Sequence, residues 1–104
     1  MAFTVKGEYE RLLKLEEKAL DGRLLFECGV ACGYVTRIKY IPRTYNYESH
    51  SWMNEKVEVY VIAGWDKHEQ LAFTITENDV GRRYQDRQYR YNKQYGILEY
   101  YPYK

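Results

Sequence analysis

The sequence has 104 residues, of which 45% are hydrophobic and 30% are charged, and its net charge is +1. This length and composition predict a single folded domain, residues 1–104, and exclude a disordered chain. No apolar run approaches the roughly 20 residues of a membrane-spanning helix, and the first residues lack the pattern of a signal peptide. We therefore expect a cytoplasmic protein without a membrane partner, and its near-neutral charge gives no general attraction for nucleic acid.

The first predicted element is a helix over residues 8–20. Apolar residues recur there at helical spacing, and charged residues fill the opposite side. Glu10 and Lys14 form an i,i+4 pair in the favourable order, and Gly22 follows as a stop signal. This pattern is typical of one helix that packs on a core.

Residues 23–76 predict a β-meander. Alternating apolar residues over 34–41 and over 55–64 indicate two strands, and the run at 71–76 predicts a third strand antiparallel to the second. The polar segment 43–54 contains aromatic residues of the kind found at exposed positions. We predict a long hairpin loop, or a mixture of strand and loop, over that segment.

These elements together predict an α+β fold. The N-terminal helix packs on a strongly bent antiparallel sheet, or on a small open β-barrel, of about five strands. Residues 97–103 predict a final strand that closes the sheet. The helix is expected to cover one face or one end.

Two cysteines, Cys28 and Cys32, are spaced C-x3-C. A disulfide is not expected in a reducing cytoplasm. A structural zinc site needs about four ligands, usually as two close pairs, and His50 and His68 are far apart in the sequence. We predict no metal and no cofactor, and we expect the two thiols to be small buried groups.

Two segments resemble small uncharacterised accessory proteins of bacteriophages and prophages. Residues 76–82, TENDVGR, are similar to an E-x-D-V-G-R element in which a strand, a tight turn and another strand follow one another. Residues 15–25, LEEKALDGRLL, resemble a helix of the L-E-E-K-A kind that leads into G-R-L and a small β domain. After Arg82 this chain departs from the pattern, because it continues into Tyr and Arg instead of an apolar strand and an acidic helix.

The resemblance implies a phage or prophage accessory protein. Proteins of this kind and size often inhibit bacterial defence systems, either by docking on a defence protein or by sequestering its nucleotide signal. The resemblance is also the only basis for expecting a mobile genetic element as the source, since no residue chemistry bears on it.

The C-terminal segment, residues 82–104, is the most polarised part of the chain. It holds seven of the thirteen tyrosines. It also holds six of the sixteen Lys and Arg residues and two acidic residues, so its net charge is +4. Over residues 82–95 the Tyr-rich composition favours a strand or hairpin, whereas the i, i+4, i+7 spacing favours a helix. The candidate residues for binding a partner or a nucleotide are Arg83, Tyr84, Arg87, Tyr89, Arg90 and Tyr91.

Tyrosine and arginine together suit planar or anionic partners. Tyrosine offers a flat surface for stacking, and arginine forms bidentate hydrogen bonds with phosphate or carboxylate. Both residues are enriched at protein–protein hot spots. The alternative is structural: the tyrosines pack at the edge of the sheet with arginines over their faces.

The sequence contains no Gly-rich phosphate loop, no G-x-S-x-G and no His-rich metal motif, so we predict that the protein is not an enzyme. We predict a non-enzymatic phage protein that inhibits a bacterial defence system by binding a host protein through a Tyr/Arg-rich surface. One alternative is a homo-oligomeric sponge that sequesters a nucleotide second messenger. Another is a DNA- or RNA-binding module.

Overall fold

The computed structural model describes residues 4–19, 24–28, 31–63, 67–77, 89–92, 94 and 96–100. Within these residues lie a helix and eight strands. They are α1 (Val5–Lys18), β1 (Leu25–Cys28), β2 (Ala31–Ile41), β3 (Thr44–Asn46), β4 (Ser51–Met53), β5 (Lys56–Ala63), β6 (Gln70–Ile75), β7 (Tyr89–Asn92) and β8 (Ile97–Tyr100). No helix in the described part of the chain is long and apolar enough to cross a membrane.

Helix α1 begins three residues earlier than predicted and ends two residues earlier. Its N-cap is Thr4, whose side chain accepts a 2.9 Å hydrogen bond from the backbone N–H of Gly7. This cap offsets the low helix propensity of Gly7, which weakens the sequence pattern at this end. The helix ends at Lys18, and its C-cap residue, Ala19, takes an extended conformation. Gly22, the predicted stop, lies outside the described residues.

The α+β class is confirmed, but the sheet is mixed and has six strands, where an antiparallel sheet of about five strands was predicted. It has six strands in the order β6-β5-β2-β1-β8-β7, and the hairpin β3–β4 forms a separate two-stranded sheet. The pairing of β1 with β8 is parallel, and every other described pairing is antiparallel. The sheet is therefore mixed, because the C-terminal hairpin β7–β8 joins the meander at its first strand.

Alternation along the strands separates a core face from a polar face, as the sequence predicted. In β5, for example, Val57, Val59 and Val61 point into the core and their neighbours do not. Helix α1 adds Val5 and Leu12 to the same core. The buried apolar residues are Val5, Leu12, Leu24, Phe26, Val35, Ile38, Val57, Val59, Val61, Phe73, Ile75, Tyr89 and Leu98.

Aromatic contacts show that the sheet is strongly bent. The ring of Phe73 on β6 stacks on Tyr100 of β8, with 4.7 Å between ring centroids, and on Tyr89 of β7 at 5.5 Å. In the sheet order β6 and β8 are four strand spacings apart, which is roughly 19 Å in a flat sheet. The inner faces must curl toward each other for these rings to touch. The described strands do not close the sheet into a barrel, since β6 and β7 remain at its two ends.

In the C-terminal segment the described residues form two strands, at 89–92 and 97–100, and turn at residues 94 and 96. Residues 89–92 form β7, which pairs antiparallel with β8, so the strand alternative holds for these four residues. Residues 78–88, which include the predicted turn of the E-x-D-V-G-R element and the first half of the Tyr/Arg-rich segment, lie outside the described residues, as do residues 101–104.

Candidate functional site

Half of the predicted site falls on β7, where Tyr89 has an unexpected position. Arg83, Tyr84 and Arg87 lie outside the described residues. Tyr89 is only 1% exposed, and its hydroxyl donates a 2.7 Å hydrogen bond to Oε2 of Glu8 on α1. A side chain covered in this way offers no surface to a partner. Tyr89 is therefore a core residue and not part of a binding surface.

Arg90 and Tyr91 lie on opposite faces of β7 because consecutive strand residues alternate. Arg90 is exposed and lies opposite Glu99 in the register with β8. Tyr91 is half-buried and packs against the core. Of the three predicted residues on β7, Arg90 is thus the one that faces solvent.

A second aromatic cluster lies on the hairpin β3–β4, outside the main sheet. The register of this hairpin pairs Tyr45 with Trp52 and Thr44 with Met53. Residues 47–50 connect the two strands. We refer to the following side chains of this hairpin as the hairpin patch: Arg43, Tyr45, Tyr47, Trp52 and Met53.

The rings of the hairpin patch contact one another edge to face. The centroid of Tyr45 is 4.9 Å from that of Tyr47 and 5.3 Å from that of Trp52, with interplanar angles of 74° and 73°. This arrangement is the favourable one for aromatic pairs. The guanidinium carbon of Arg43 lies 4.9 Å from the centroid of the Trp52 ring, which is a cation–π contact. Arg43, Trp52, Tyr45 and Tyr47 therefore form one continuous row of packed groups.

Polar side chains hold the turn that presents Tyr47. Oδ1 of Asn46 accepts hydrogen bonds from the backbone N–H groups of Glu48, at 2.9 Å, and of Ser49, at 3.3 Å. His50 takes the left-handed conformation, with φ of 52°. An Asn that bonds the backbone two residues ahead is a common way to fix a turn. The turn is thus ordered by its own sequence and projects Tyr47 at its tip.

The hairpin patch is largely open to solvent. Tyr47 is 80% exposed, Trp52 58% and Met53 49%. Five consecutive residues, 44–48, together with Met53 line an open hollow of about 530 Å³. Contiguous exposed apolar groups mark interaction sites on soluble proteins. The patch is the strongest such feature in the described part of the chain.

The charge of this region is balanced. Between residues 42 and 54 the charged side chains are Arg43 and Glu48, so the net charge is zero with His50 neutral. A surface that tracks phosphates needs an excess of positive charge. Tyr, Trp, Met and Arg are the residues enriched in the cores of protein–protein interfaces. The composition of the hairpin patch therefore suits a protein partner.

The main sheet carries a separate polar network around Tyr60 on β5. The guanidinium carbon of Arg37 lies 4.2 Å from the centroid of the Tyr60 ring, and Arg37 also forms a 2.9 Å salt bridge with Glu69. The Tyr60 hydroxyl donates a 2.8 Å hydrogen bond to Glu58. This hydrogen bond to a carboxylate raises the pKa of the Tyr60 phenol, and burial and the charge of Glu58 act in the same direction. The groups form satisfied pairs, which is typical of a structural network.

The pKa of the Tyr40 phenol is raised for the same reason. Its hydroxyl donates to Glu55, and this hydrogen bond raises the pKa of the Tyr40 phenol. Because both phenols titrate at higher pH in the folded chain than in the unfolded chain, their protonated forms stabilise the fold below about pH 10. This stabilisation is lost as the pH rises through the folded-state pKa values.

We expect the Glu58→Gln variant to ionise Tyr60 at lower pH than the wild type, because the hydrogen bond to a charged acceptor is lost. The measurement is an alkaline titration followed by tyrosinate absorbance, with Tyr60→Phe to identify the contribution of this residue. In the background of Tyr60→Phe, the Glu58→Gln change should leave the titration curve unaltered. Superimposable curves for Glu58→Gln and wild type would show that Glu58 does not control Tyr60.

Metal-ligating residues do not converge in the described part of the chain. No group of three or more His, Cys, Asp or Glu side chains there could hold a metal ion. The backbone register pairs Cys28 with Ala31 and Cys32 with Glu27. The two cysteines are thus not opposite each other across the β1–β2 hairpin.

The sequence contained a signal for the hairpin patch, although the prediction named no site residue there. In the segment RTYNYESHSWMN, Tyr45 and Tyr47 are two residues apart and Trp52 follows within the same short polar stretch. Aromatic residues in a polar, Asn- and Ser-rich segment have little apolar surface nearby to cover them. That mismatch is visible in the sequence alone and indicates exposed aromatic groups.

Comparison of the chain with models of protein families, with curated proteins and with solved structures finds no match in any of the three.

Proposed function

We propose that the protein is a non-enzymatic binding module that docks on another protein through the hairpin patch. The observation that carries this proposal is the packed row of Arg43, Tyr45, Tyr47 and Trp52, in which Tyr47 and Trp52 are exposed. These groups already contact one another, so little side-chain freedom is lost on binding. Burying the large exposed rings supplies the free energy.

The biological setting that we propose is the one implied by the phage resemblance. In this setting the protein acts in the cytoplasm of a bacterial host and inhibits a defence system by binding one of its proteins. The curled sheet, which we interpret as an open barrel, would be the rigid scaffold. Arg90 and the Tyr/Arg-rich segment before it remain a second proposed contact surface.

We expect Trp52→Ala to weaken binding to the partner protein by at least about 30-fold, because aromatic residues at the centre of an interface are typical hot spots. Tyr47→Ala should also weaken binding, and it leaves the contact of Tyr45 with Trp52 in place. The measurement is affinity capture of the partner from bacterial lysate by the tagged full-length chain, followed by titration with the purified partner.

The matched control is Leu71→Ala. Leu71 lies on β6 outside the hairpin patch and is 49% exposed, as Met53 is. This variant should bind like the wild type. All variants should be compared by circular dichroism and thermal unfolding, so that a loss of binding can be separated from a loss of folding. If folded Trp52→Ala and Tyr47→Ala variants retain wild-type affinity, the hairpin patch is not the docking surface.

The nucleic-acid alternative makes a different prediction for the same samples. Binding to DNA or RNA would weaken steeply with salt concentration. Residues 42–54, which contain the hairpin patch, have a net charge of zero, so docking through the patch should depend only weakly on salt. Measuring the affinity at two ionic strengths therefore separates the two functions.

A further inference from the structure

We propose that the hairpin patch recognises a proline-rich segment of its partner in the polyproline II conformation. This inference rests on the proposed function and names the chemistry of the partner at that site. It follows from three properties: the hydrogen-bond donors that the hairpin patch offers, the spacing of its rings, and the zero net charge of residues 42–54, which contain it.

The rings of the hairpin patch carry hydrogen-bond donors. No described residue forms a hydrogen bond with the hydroxyl of Tyr45 or Tyr47 or with Nε1 of Trp52. Trp offers only a donor, and the hydroxyl of Tyr donates as readily as it accepts. A ligand that fits these groups presents acceptors that need a partner.

A polyproline II segment is such a ligand. Its backbone carbonyl groups make no internal hydrogen bonds, and its prolines have no N–H group to satisfy. An α-helix has already used its backbone carbonyls internally. An added β-strand needs acceptors as well as donors along a free edge, and β3 and β4 have only three residues each. Among extended and helical peptides, the proline-rich segment matches the chemistry of the patch best.

The spacing of the rings permits this ligand. The centroids of Tyr47 and Trp52 are each about 5 Å from that of Tyr45, which limits their separation to about 10 Å. A polyproline II helix repeats every three residues, or about 9 Å. Prolines three apart can therefore lie against neighbouring parts of the row. The steep angles between the rings, 74° and 73°, create corners into which a proline ring packs.

Charge argues against the acidic and phosphorylated peptides that other small domains recognise. Such ligands require a cluster of arginines. The hairpin patch has one, Arg43, and that guanidinium lies against Trp52. Glu48, which lines the hollow, repels an anionic ligand. An uncharged proline-rich segment needs no cluster of arginines and is not repelled by Glu48.

The test is a titration of the full-length, isotope-labelled chain with decaproline, followed by NMR. A glycine–serine peptide of the same length is the control ligand. We expect saturable shifts of the Trp52 indole N–H and of the backbone amides of residues 43–53 with decaproline only. A dissociation constant in the high-micromolar to millimolar range is expected for so short a ligand.

Replacing tyrosine with phenylalanine tests whether the hydroxyls donate hydrogen bonds to the ligand, because it removes the hydroxyl and keeps the ring. Tyr45→Phe and Tyr47→Phe should each weaken decaproline binding by roughly 2- to 10-fold, the range for one neutral hydrogen bond. Trp52→Phe should weaken it further, because the indole N–H is lost and the ring becomes smaller. Tyr60→Phe, on the main sheet, is the matched control and should bind like the wild type.

The outcomes separate this inference from the proposed function. If Trp52→Ala abolishes capture of a partner protein but decaproline causes no saturable shift of Trp52, the proposed function stands and the proline-rich ligand is wrong. NMR shifts that are confined to the main sheet would also overturn the proline-rich ligand. Wild-type affinity for decaproline in both Tyr45→Phe and Tyr47→Phe would do the same. If neither the partner protein nor decaproline depends on Trp52, the docking proposal and the ligand proposal both fail.

Discussion

Replacing Gly33 with alanine is expected to lower the free energy of unfolding by about 3 kcal/mol or more. Gly33 lies on β2, between Phe26 of β1 and Ala63 of β5. A Cβ atom at this position would lie 2.1 Å from the carbonyl oxygen of Ile62 and 2.8 Å from Cα of Ala63. Both neighbours are backbone atoms, so neither can rotate away. The strands β2 and β5 must separate to admit even one methyl group.

The expected result is large because β2 and β5 are the two longest strands and form the most extensive pairing in the sheet. A protein of this size has a total stability of only about 5–15 kcal/mol. The thermal midpoint should therefore fall by roughly 10–25 °C, since 1 kcal/mol corresponds to about 4–8 °C for a small domain. Thermal and urea unfolding followed by circular dichroism measure both quantities.

Gly96→Ala is the matched control. Gly96 has a positive φ of 68°, but a Cβ atom there would meet only the hydroxyl of Tyr91, at 3.7 Å. This substitution should cost about 1 kcal/mol, from the left-handed backbone alone. Gly33→Ala must be the more destabilising of the two. Equal stability of the two variants would mean that the close approach of β2 and β5 does not constrain position 33.

The parts of the fold that the sequence predicted are those with a local periodic signature. Val57, Val59 and Val61 alternate with more polar neighbours because one face of β5 packs on the core. The helix was recognised from the spacing of its apolar residues, with its boundaries shifted by two or three positions. Such patterns depend only on which face of an element is buried.

The mixed sheet could not be predicted in the same way. Leu25 of β1 pairs with Ile97 of β8, 72 residues later in the chain. Nothing in the sequence of either strand indicates which strand it pairs with. A short apolar strand looks the same beside a parallel or an antiparallel neighbour. The position of β8 next to β1 is decided by how the whole core closes.

Tyr89 illustrates why composition alone misplaced part of the site. In the sequence it belongs to a Tyr/Arg-rich run and resembles its neighbour Tyr91. A tyrosine has a large apolar ring and one polar tip, so it is suited equally to a surface and to a core with a buried acceptor. The acceptor is Glu8, which is 81 positions away in the sequence. Only the folded chain brings the two together.

This buried pair leads to the second large effect, which is expected for Tyr89→Ala. The Tyr89 ring stacks on Phe73, with 5.5 Å between centroids, and is almost completely buried. Removing a buried aromatic ring costs about 3–5 kcal/mol. The loss of the hydroxyl adds to this cost, because the side chain of Glu8 is only 3% exposed and depends on the donors around it.

Tyr89→Phe isolates the contribution of the hydroxyl. It keeps the ring and removes one donor from a buried carboxylate, for which we expect a loss of about 1.5–3 kcal/mol. Glu8 keeps its 3.1 Å salt bridge with Arg11, so the helix should remain in place. Urea unfolding of the full-length variants measures the difference in free energy.

The double variant decides whether Glu8 and Tyr89 act as a unit. Glu8→Leu leaves the Tyr89 hydroxyl without this acceptor, and Tyr89→Phe deprives Glu8 of this donor, so each single change has its own desolvation cost. Removing both groups together avoids these costs, and the double variant should be less destabilised than the sum of the single variants. A Tyr89→Phe variant within about 0.5 kcal/mol of the wild type, or strictly additive effects, would contradict this. In that case the stability of α1 on the sheet would come from apolar packing through residues such as Val5 and Leu12, and not from the hydrogen bond that joins the helix to β7.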